Sequence, residues 1–113
     1  MLYEIRNYHY DPNYYKDYKK WAAEIGGPYF RNMWDVVGIW LQNDIPPEYG
    51  GSLPRDEKVI PANMTWIIRW KNKEDRDKAW ASLDPDELDE LFSTVPGGTE
   101  SYLRTEVKFA EAI

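Results

Sequence analysis

Bulky and polar side chains alternate with a period of two over residues 2–9, Leu2-Tyr3-Glu4-Ile5-Arg6-Asn7-Tyr8-His9. Successive side chains of a β-strand point to opposite faces, so this alternation predicts a first strand. One face of the strand carries an acid, a base and a phenol: Glu4, Arg6 and Tyr8. The opposite face carries Tyr3, Ile5 and Asn7. Three polar groups of this kind are unusual on a buried surface, and a pocket beside the strand would explain them.

A first helix is predicted directly after this strand. Asp11 is a favourable N-cap, and Pro12 suits the first helical position because its missing N–H costs nothing there. Apolar residues then recur at steps of three and four: Tyr14, Tyr18, Trp21, Ala22, Ile25 and Tyr29. Gly26-Gly27-Pro28 is expected to end or kink the helix near Ile25, with room for a short further turn over residues 29–32.

Two further strands are predicted, and a long connection separates them. Residues 34–42 and residues 64–70 are both rich in β-branched and aromatic side chains, which favour extended structure. The connection over residues 43–63 contains four prolines and the Gly50-Gly51 pair. Connections of this length are either functional, as lids or binding loops, or disordered, and the sequence leaves both interpretations open.

The last third of the chain predicts two helices and a final strand. Asn72 is the expected N-cap of a helix over residues 73–83, which has an apolar stripe of Ala79, Trp80 and Leu83. Asp84-Pro85 then begins a shorter helix, which Pro96-Gly97-Gly98 terminates. Two sets of side chains, one mainly apolar and one mainly polar, alternate over residues 101–109 and predict the last strand.

The resulting order of strand, helix, strand, strand, helix, strand predicts a ferredoxin-like α+β fold in a single domain over residues 1–113. Both helices then cover one face of a four-stranded antiparallel sheet. The other face would carry Trp66 or Ile67, Trp40 or Ile39, and part of the row that begins at Leu103. Because so much apolar surface is unfavourable in water, we expect a sheet-to-sheet homodimer, an α+β barrel with a cavity on that face.

Composition narrows the classes of partner. The net charge of −6 argues against a nucleic-acid backbone and against an anionic membrane surface. No apolar run approaches the length of a membrane span, and no signal-peptide pattern precedes the first strand, so a cytoplasmic protein is expected. Six Trp and nine Tyr exceed what a small core needs, which indicates that some line a cavity or an interface.

The first strand carries the strongest candidates for catalysis. Arg6 could hold a carboxylate or enolate oxygen while Glu4 or Tyr8 moves a proton. The alternative is structural, in which Glu4 and Arg6 form an ion pair or a hydrogen-bonded ladder across the dimer interface. His9 is the single histidine and could act as a base at the strand end, although a surface or capping role is the commoner use of such a residue.

Aromatic and cationic residues elsewhere are candidates for substrate binding. A site for a flat, apolar ligand could be lined by Trp40, Tyr49 and Trp66. Alternatively, these residues could serve only core and interface packing. Arg69 could orient an anion, or it could pair with Glu4, Glu106 or Asp44. No metal site is expected with one histidine and no cysteine, and no cofactor is expected because nucleotide-binding and phosphate-loop motifs are absent.

Several short motifs together resemble the NIPSNAP-like family of the dimeric α/β-barrel superfamily. The opening strand Leu2-Tyr3-Glu4-Ile5-Arg6-Asn7-Tyr8 is similar to that family's Tyr-Glu-Leu-Arg-x-Tyr strand. Three weaker similarities follow: the helix end at Gly27-Pro28, the strand Val37-Gly38-Ile39-Trp40, and the strand Trp66-Ile67-Ile68-Arg69-Trp70 that leads to Asp75-Arg76. The chain departs from the family in its loop over residues 43–63, which is commonly shorter there.

The resemblance implies a homodimer with a pocket between sheet and helices. It does not imply one reaction, since the superfamily includes monooxygenases, cyclases, decarboxylating and haem-handling proteins. From the residues and the resemblance we expect a small apolar or aromatic ligand, bound beside the sheet. The protein would be either a cofactor-independent enzyme that transfers protons, as a cyclase, isomerase or oxygenase, or a non-catalytic homodimer that binds a ligand or a protein.

Overall fold

A computed structural model describes all 113 residues. The predicted order of elements is confirmed. The strands are β1 (Leu2–Tyr10), β2 (Val36–Leu41), β3 (Met64–Trp70) and β4 (Tyr102–Ala110). The helices are α1 (Tyr15–Trp21), α2 (Gly27–Met33), α3 (Lys73–Ala81) and α4 (Pro85–Phe92). A π-helical segment, Ala22–Gly26, joins α1 to α2, and a 3₁₀ turn, Thr99–Ser101, precedes β4.

The four strands form one antiparallel sheet in the order β2-β3-β1-β4, which confirms the ferredoxin-like α+β arrangement. β1 lies in the interior of the sheet, where Glu4 is opposite Ile68 on β3 and Phe109 on β4. Arg6 is opposite Trp66 and Val107 in the same way. Because residues directly opposite one another share a face, the register fixes which side chains accompany Glu4 and Arg6.

Asn72 and Asp84 begin their helices as the sequence predicts. The Asn72 side chain accepts a hydrogen bond from the Asp75 backbone N–H at 2.8 Å, and Asp84 accepts one from Asp86 at 2.9 Å. β3 has the predicted limits, while β2 is shorter than predicted at both ends. Gly97 and Gly98 both have positive φ, at 76° and 81°, and turn the chain from α4 toward β4.

The first helix begins later than predicted and changes its form near Ile25, where the sequence predicts an end or a kink. The Asp11 side chain accepts from the Asn13 N–H at 2.9 Å and forms a turn, so the α-helix begins at Tyr15 and not at Pro12. Near Ile25 the helix does not end but continues through the π-helical segment into α2, which includes the further turn predicted over residues 29–32. The Gly27 N–H donates to the Ala22 carbonyl, five residues back, which is the π-helical pattern. Pro28 has no backbone N–H and cannot donate a helical hydrogen bond. The wide turn places it at the start of α2, where no such bond is needed.

We expect Gly27→Ala to destabilise the protein. A Cβ at this position would lie 2.6 Å from the Ala22 carbonyl oxygen and 3.2 Å from the Ile39 side chain. The backbone oxygen belongs to the π-helical turn and cannot move independently of it, so overpacking should lower the free energy of unfolding by about 1–3 kcal/mol. Urea denaturation measures this loss. Gly50→Ala is the control, because nothing lies within 4 Å of a Cβ at Gly50.

The two faces of the sheet differ in what covers them. The helices cover the face of Glu4, Arg6 and Tyr8, where the main core cluster includes Tyr18, Trp21, Phe30, Trp66 and Ile68. Ile67 and Trp40 lie on the open face, together with Tyr3 and Ile5. The expectation that the row beginning at Leu103 faces outward is wrong for Val107 and Phe109, since they are opposite Arg6 and Glu4 on the helix side.

The long connection between β2 and β3 is attached to the sheet at both ends. The Tyr15 hydroxyl lies 2.8 Å from the Gln42 carbonyl and 2.6 Å from the Asn63 carbonyl. The Asn63 side chain bonds both the N–H and the carbonyl of Tyr10, at 2.8 and 2.9 Å. This side chain therefore extends the pairing of β1 beyond the end of β3.

Candidate functional site

β1 directs Glu4, Arg6 and Tyr8 toward the helices, on one face as predicted. Their side chains form a continuous chain of hydrogen bonds along the strand. Arg6 Nη1 donates to Glu4 Oε2 at 2.7 Å, and Arg6 Nε donates to the Tyr8 hydroxyl at 2.7 Å. The alternation that identified the three residues thus also brings their polar atoms into contact.

The Glu4 carboxylate is fully buried and accepts hydrogen bonds from two guanidinium and two indole groups. Arg76 on α3 holds both oxygens, with Nε 3.0 Å from Oε1 and Nη2 2.7 Å from Oε2. Trp70 and Trp80 donate their indole N–H groups to Oε1 at 3.0 and 3.1 Å. Each carboxylate oxygen is therefore saturated with donors, and the charge is compensated.

These donors determine the protonation state of Glu4. Burial opposes ionisation, but the hydrogen bonds from Arg76, Arg6, Trp80 and Trp70 outweigh it and lower the pKa of Glu4 to about 2. Glu4 raises the pKa of Arg76 in return. A carboxylate this firmly ionised is a poor carrier of protons near neutral pH. The arrangement favours Glu4 as the group that orients Arg6 and Arg76.

Arg6 is positioned by this network and by aromatic rings. Its guanidinium carbon lies 4.5 Å from the centre of the Trp80 ring, and its side chain is 15% exposed. Nε and Nη1 have partners in Tyr8 and Glu4, whereas Nη2 makes no hydrogen bond within the protein. No buried polar side-chain atom lacks a partner, so Nη2 is accessible to solvent or to a ligand.

The Tyr8 hydroxyl accepts two hydrogen bonds and donates none within the protein. Arg6 Nε donates at 2.7 Å and Trp66 Nε1 at 3.0 Å. A phenol oxygen has two lone pairs and one hydrogen, so both acceptor positions of Tyr8 are occupied while its O–H remains available. The Tyr8 hydroxyl is thus free to donate a hydrogen bond and is held in place by two N–H groups.

A cavity of about 280 Å³ lies between the sheet and the helices, beside Arg6 and Tyr8. Its walls are mainly aromatic and apolar and come from β1, β2, β3, β4 and all four helices. The side chains that surround it include Tyr18, Trp21, Phe30, Trp66, Trp80 and Tyr102. Arg6 is the one charged residue among those that line the cavity.

Two tyrosines of the cavity wall are held in the neutral state. Burial raises the pKa of Tyr18 and of Tyr102 well above the usual range of a phenol. The Tyr18 ring also stacks on Tyr10, with centroids 3.7 Å apart, and Tyr102 meets Tyr8 edge-on at 5.3 Å. Neither Tyr18 nor Tyr102 therefore brings a negative charge into the cavity.

Five of the residues predicted from the sequence do not line this cavity: Glu4, which lies behind Arg6 in the hydrogen-bond network, and four that are more remote. His9 is on the opposite face, where Nδ1 donates to the Ile60 carbonyl at 2.6 Å. Arg69 pairs with Asp35 at 2.7 Å, a partner that the sequence did not indicate. Trp40 is half exposed on the open face, and Tyr49 is an exposed loop residue next to the Arg55 guanidinium. Of the predicted binding residues, Trp66 alone contributes to the cavity wall.

Two residues of α3 belong to the site and were not predicted as such. Arg76 supplies the strongest interaction with Glu4, and Trp80 contacts both Glu4 and Arg6. Arg76, Trp80 and Leu83 are spaced by four and three residues, which places them on one helical face. Extension of the apolar stripe by one turn toward the N-terminus would have identified Arg76 as a buried cation that needs a carboxylate.

The structure contains no group of three or more His, Asp or Glu side chains arranged to hold a metal ion. None of its helices combines the length and the apolar composition that are needed to cross a membrane.

Sheet topology and helix placement define the protein as a ferredoxin-like α+β domain. Within that class it has a NIPSNAP-like fold, as predicted. The crystal structure of an uncharacterized NIPSNAP domain protein from Burkholderia xenovorans matches 100% of this chain and 95% of its own, with a TM-score of 0.70 and 14% sequence identity. No family model matches the sequence, and no curated protein matches it significantly. At this identity the likeness concerns the fold.

Proposed function

We propose that this protein binds a small, largely apolar or aromatic molecule in the cavity between the sheet and the helices. The observation that carries the proposal is a concave, aromatic site with one cation, Arg6, in its wall. Sites of this kind, apolar with few and fixed polar groups, are typical of small-molecule binding. The saturated Glu4 network supports the proposal because it holds Arg6 in one orientation before any ligand arrives.

The volume of the cavity limits the size of the ligand. An apolar protein cavity of about 150 Å³ accommodates benzene. The cavity beside Arg6 has about 280 Å³, so it suits a ligand of one or two rings.

We expect Ala22→Leu to weaken ligand binding by at least tenfold while the protein remains folded. Ala22 is buried and lines the cavity, so the longer side chain would occupy space that the ligand needs. Quenching of tryptophan fluorescence by 2-naphthoate and by its neutral amide measures the binding, because Trp21, Trp66 and Trp80 line the cavity. The control is Ala23→Leu, an exposed neighbour outside the lining of this cavity.

Native mass spectrometry of the freshly purified protein provides an independent test. A stoichiometric organic ligand of one or two rings would support the proposal and identify the compound class. If no small molecule is released and neither naphthalene probe binds at millimolar concentration, the proposal is overturned.

A cofactor-independent enzyme, a cyclase, isomerase or oxygenase, is the second candidate function, and the free O–H of Tyr8 favours it. Tyr8 has a proton to donate beside an accessible guanidinium nitrogen, which is a suitable arrangement for protonation of an enolate. Tyr8→Phe should then abolish turnover of the compound identified by mass spectrometry while binding changes only severalfold. Binding without turnover in the wild-type protein would favour the non-catalytic homodimeric binding protein.

We further propose that the protein is a homodimer whose open sheet faces pack together. The open face carries Tyr3, Ile5, Ile67 and Trp40, with no helix over them. Lys108 and Glu106 lie beyond this apolar area on β4, opposite Ile5 and Asn7. An apolar centre with a charged rim is the usual composition of a protein interface.

A further inference from the structure

We propose that the ligand carries a single negative charge on an oxygen, and that Arg6 Nη2 and the Tyr8 hydroxyl bind that oxygen together. The inference rests on the proposed function, since it names the chemical class of ligand for the same cavity. A small aromatic carboxylate, or an enolate of similar size, has the required charge and shape.

The charged groups around Glu4 include more cations than carboxylates. Glu4 accepts from both Arg6 and Arg76, and Asp77 contacts both Arg76 and Lys73. Three cations thus share two carboxylates. The cluster therefore carries a net positive charge, and Arg6 is its one member that lines the cavity. A desolvated cation in an aromatic site favours a monoanion as its ligand.

The free hydrogen-bond donors of the site lie next to one another. Nε and Nη2 of a guanidinium share one edge and donate in nearly parallel directions. Nε of Arg6 already points at the Tyr8 oxygen, 2.7 Å away. An oxygen atom that accepts from Nη2 therefore lies beside the Tyr8 hydroxyl and can accept its free O–H as well. Both acceptor positions of Tyr8 are occupied by Arg6 and Trp66, which directs this hydrogen away from them.

The remaining residues of the cavity wall favour a ligand that is apolar apart from its one charged group. No other charged side chain lines the cavity, so a second ionic group on the ligand would be buried without a partner. Phe30, Trp66 and Trp80 present ring surfaces around the space next to Arg6, which suits a planar aromatic or unsaturated molecule.

Isothermal titration calorimetry at pH 7 with two matched ligand pairs tests the inference: benzoate with benzamide, and 2-naphthoate with 2-naphthamide. The members of each pair have nearly the same shape and differ in charge. The wild-type protein should bind the better acid at least tenfold more tightly than its amide. Arg6→Met should reduce the affinity for the acid to that for the amide and leave the amide affinity unchanged.

Three further variants keep the inference falsifiable if Arg6→Met does not fold. Arg6→Lys retains the charge but lacks the parallel N–H donors of a planar guanidinium, so the preference for the acid should fall severalfold. Tyr8→Phe should reduce the affinity for the acid more than the affinity for the amide. Arg69→Met, which removes an exposed arginine on the other face, should change neither affinity.

The possible outcomes separate this inference from the proposed function. An amide that binds as tightly as its acid, or Arg6 variants that weaken both ligands equally, would overturn the monoanion inference and leave the cavity as a binding site. If neither member of either pair binds and native mass spectrometry releases no small molecule, the proposed function itself fails.

Discussion

Glu4→Gln should lower the free energy of unfolding by about 3–5 kcal/mol, the usual range when one partner of a buried ion pair is removed. Glu4 is 0% exposed and is the common acceptor for Arg6 and Arg76. A neutral amide would leave both guanidinium groups without a buried counter-charge. Its NH₂ group would also replace an oxygen that now accepts hydrogen bonds. Urea denaturation at pH 7 measures the effect.

The same substitution should flatten the dependence of stability on acid pH. Glu4 has a pKa of about 2 in the folded protein, against 4.5 for an unperturbed glutamate. A pKa lowered by folding stabilises the protein above the unfolded value, and this contribution is lost as the pH falls from about 4.5 toward 2. The lost stability amounts to about 3 kcal/mol. Glu4→Gln has no such group, so its unfolding free energy should change less over this range.

Glu24→Gln is the matched control for both measurements. Glu24 is exposed on the π-helical segment and forms no ion pair, so its substitution should change stability by no more than about 0.5 kcal/mol. If Glu4→Gln unfolds with the same urea midpoint as this control, the Glu4 carboxylate does not stabilise the folded protein as predicted. An unchanged acid profile in Glu4→Gln would contradict the lowered pKa.

Local signals in the sequence were sufficient to predict most of the strands and helices of the fold. The β3 limits follow from a run of β-branched and aromatic residues between a loop and a cap, and side-chain caps identified the starts of α3 and α4. These features depend on residues within one or two turns of each other, and their physical causes are therefore visible in a short stretch of sequence.

Whether the first helix ends or continues at Gly26-Gly27 depends on packing, which local sequence rules do not include. Gly26 and Gly27 are common helix terminators, but here they permit close approach inside a longer helix. A Cβ on Gly26 would lie 2.6 Å from the Trp21 ring, and one on Gly27 would meet the Ala22 carbonyl. The π-helical turn resolves the conflict between Pro28 and a continuous helix. No composition signal distinguishes this use of glycine from a helix end.

The site was predictable in part, since alternation alone grouped Glu4, Arg6 and Tyr8. Which face the helices cover depends on the whole fold, and so the sequence did not place the cavity. Trp66 was identified by its aromatic character, whereas Trp40 has the same character and lies on the other face. The partnership of Glu4 with Arg76, 72 positions later, requires the tertiary structure.

The Ile67→Asp substitution should convert the proposed dimer into a monomer. Ile67 lies on β3 in the open face, opposite Ile5, and Trp40 lies over Gly38 on the neighbouring strand. Two-fold symmetry would bring this patch against its copy, so each carboxylate would be buried in an apolar interface without a counter-charge. Light scattering after size exclusion should give twice 13.4 kDa for the wild type and 13.4 kDa for the variant.

Ile25→Asp is the control for the Ile67→Asp experiment, because it introduces the same charge on the π-helical segment, where Ile25 is 40% exposed. This variant should keep the mass of the wild type. Circular dichroism of both variants checks that the loss of mass does not reflect unfolding of β3. A wild-type mass of 13.4 kDa at micromolar concentration would overturn the dimer. It would not affect the cavity beside Arg6, since all the residues that line it come from one chain.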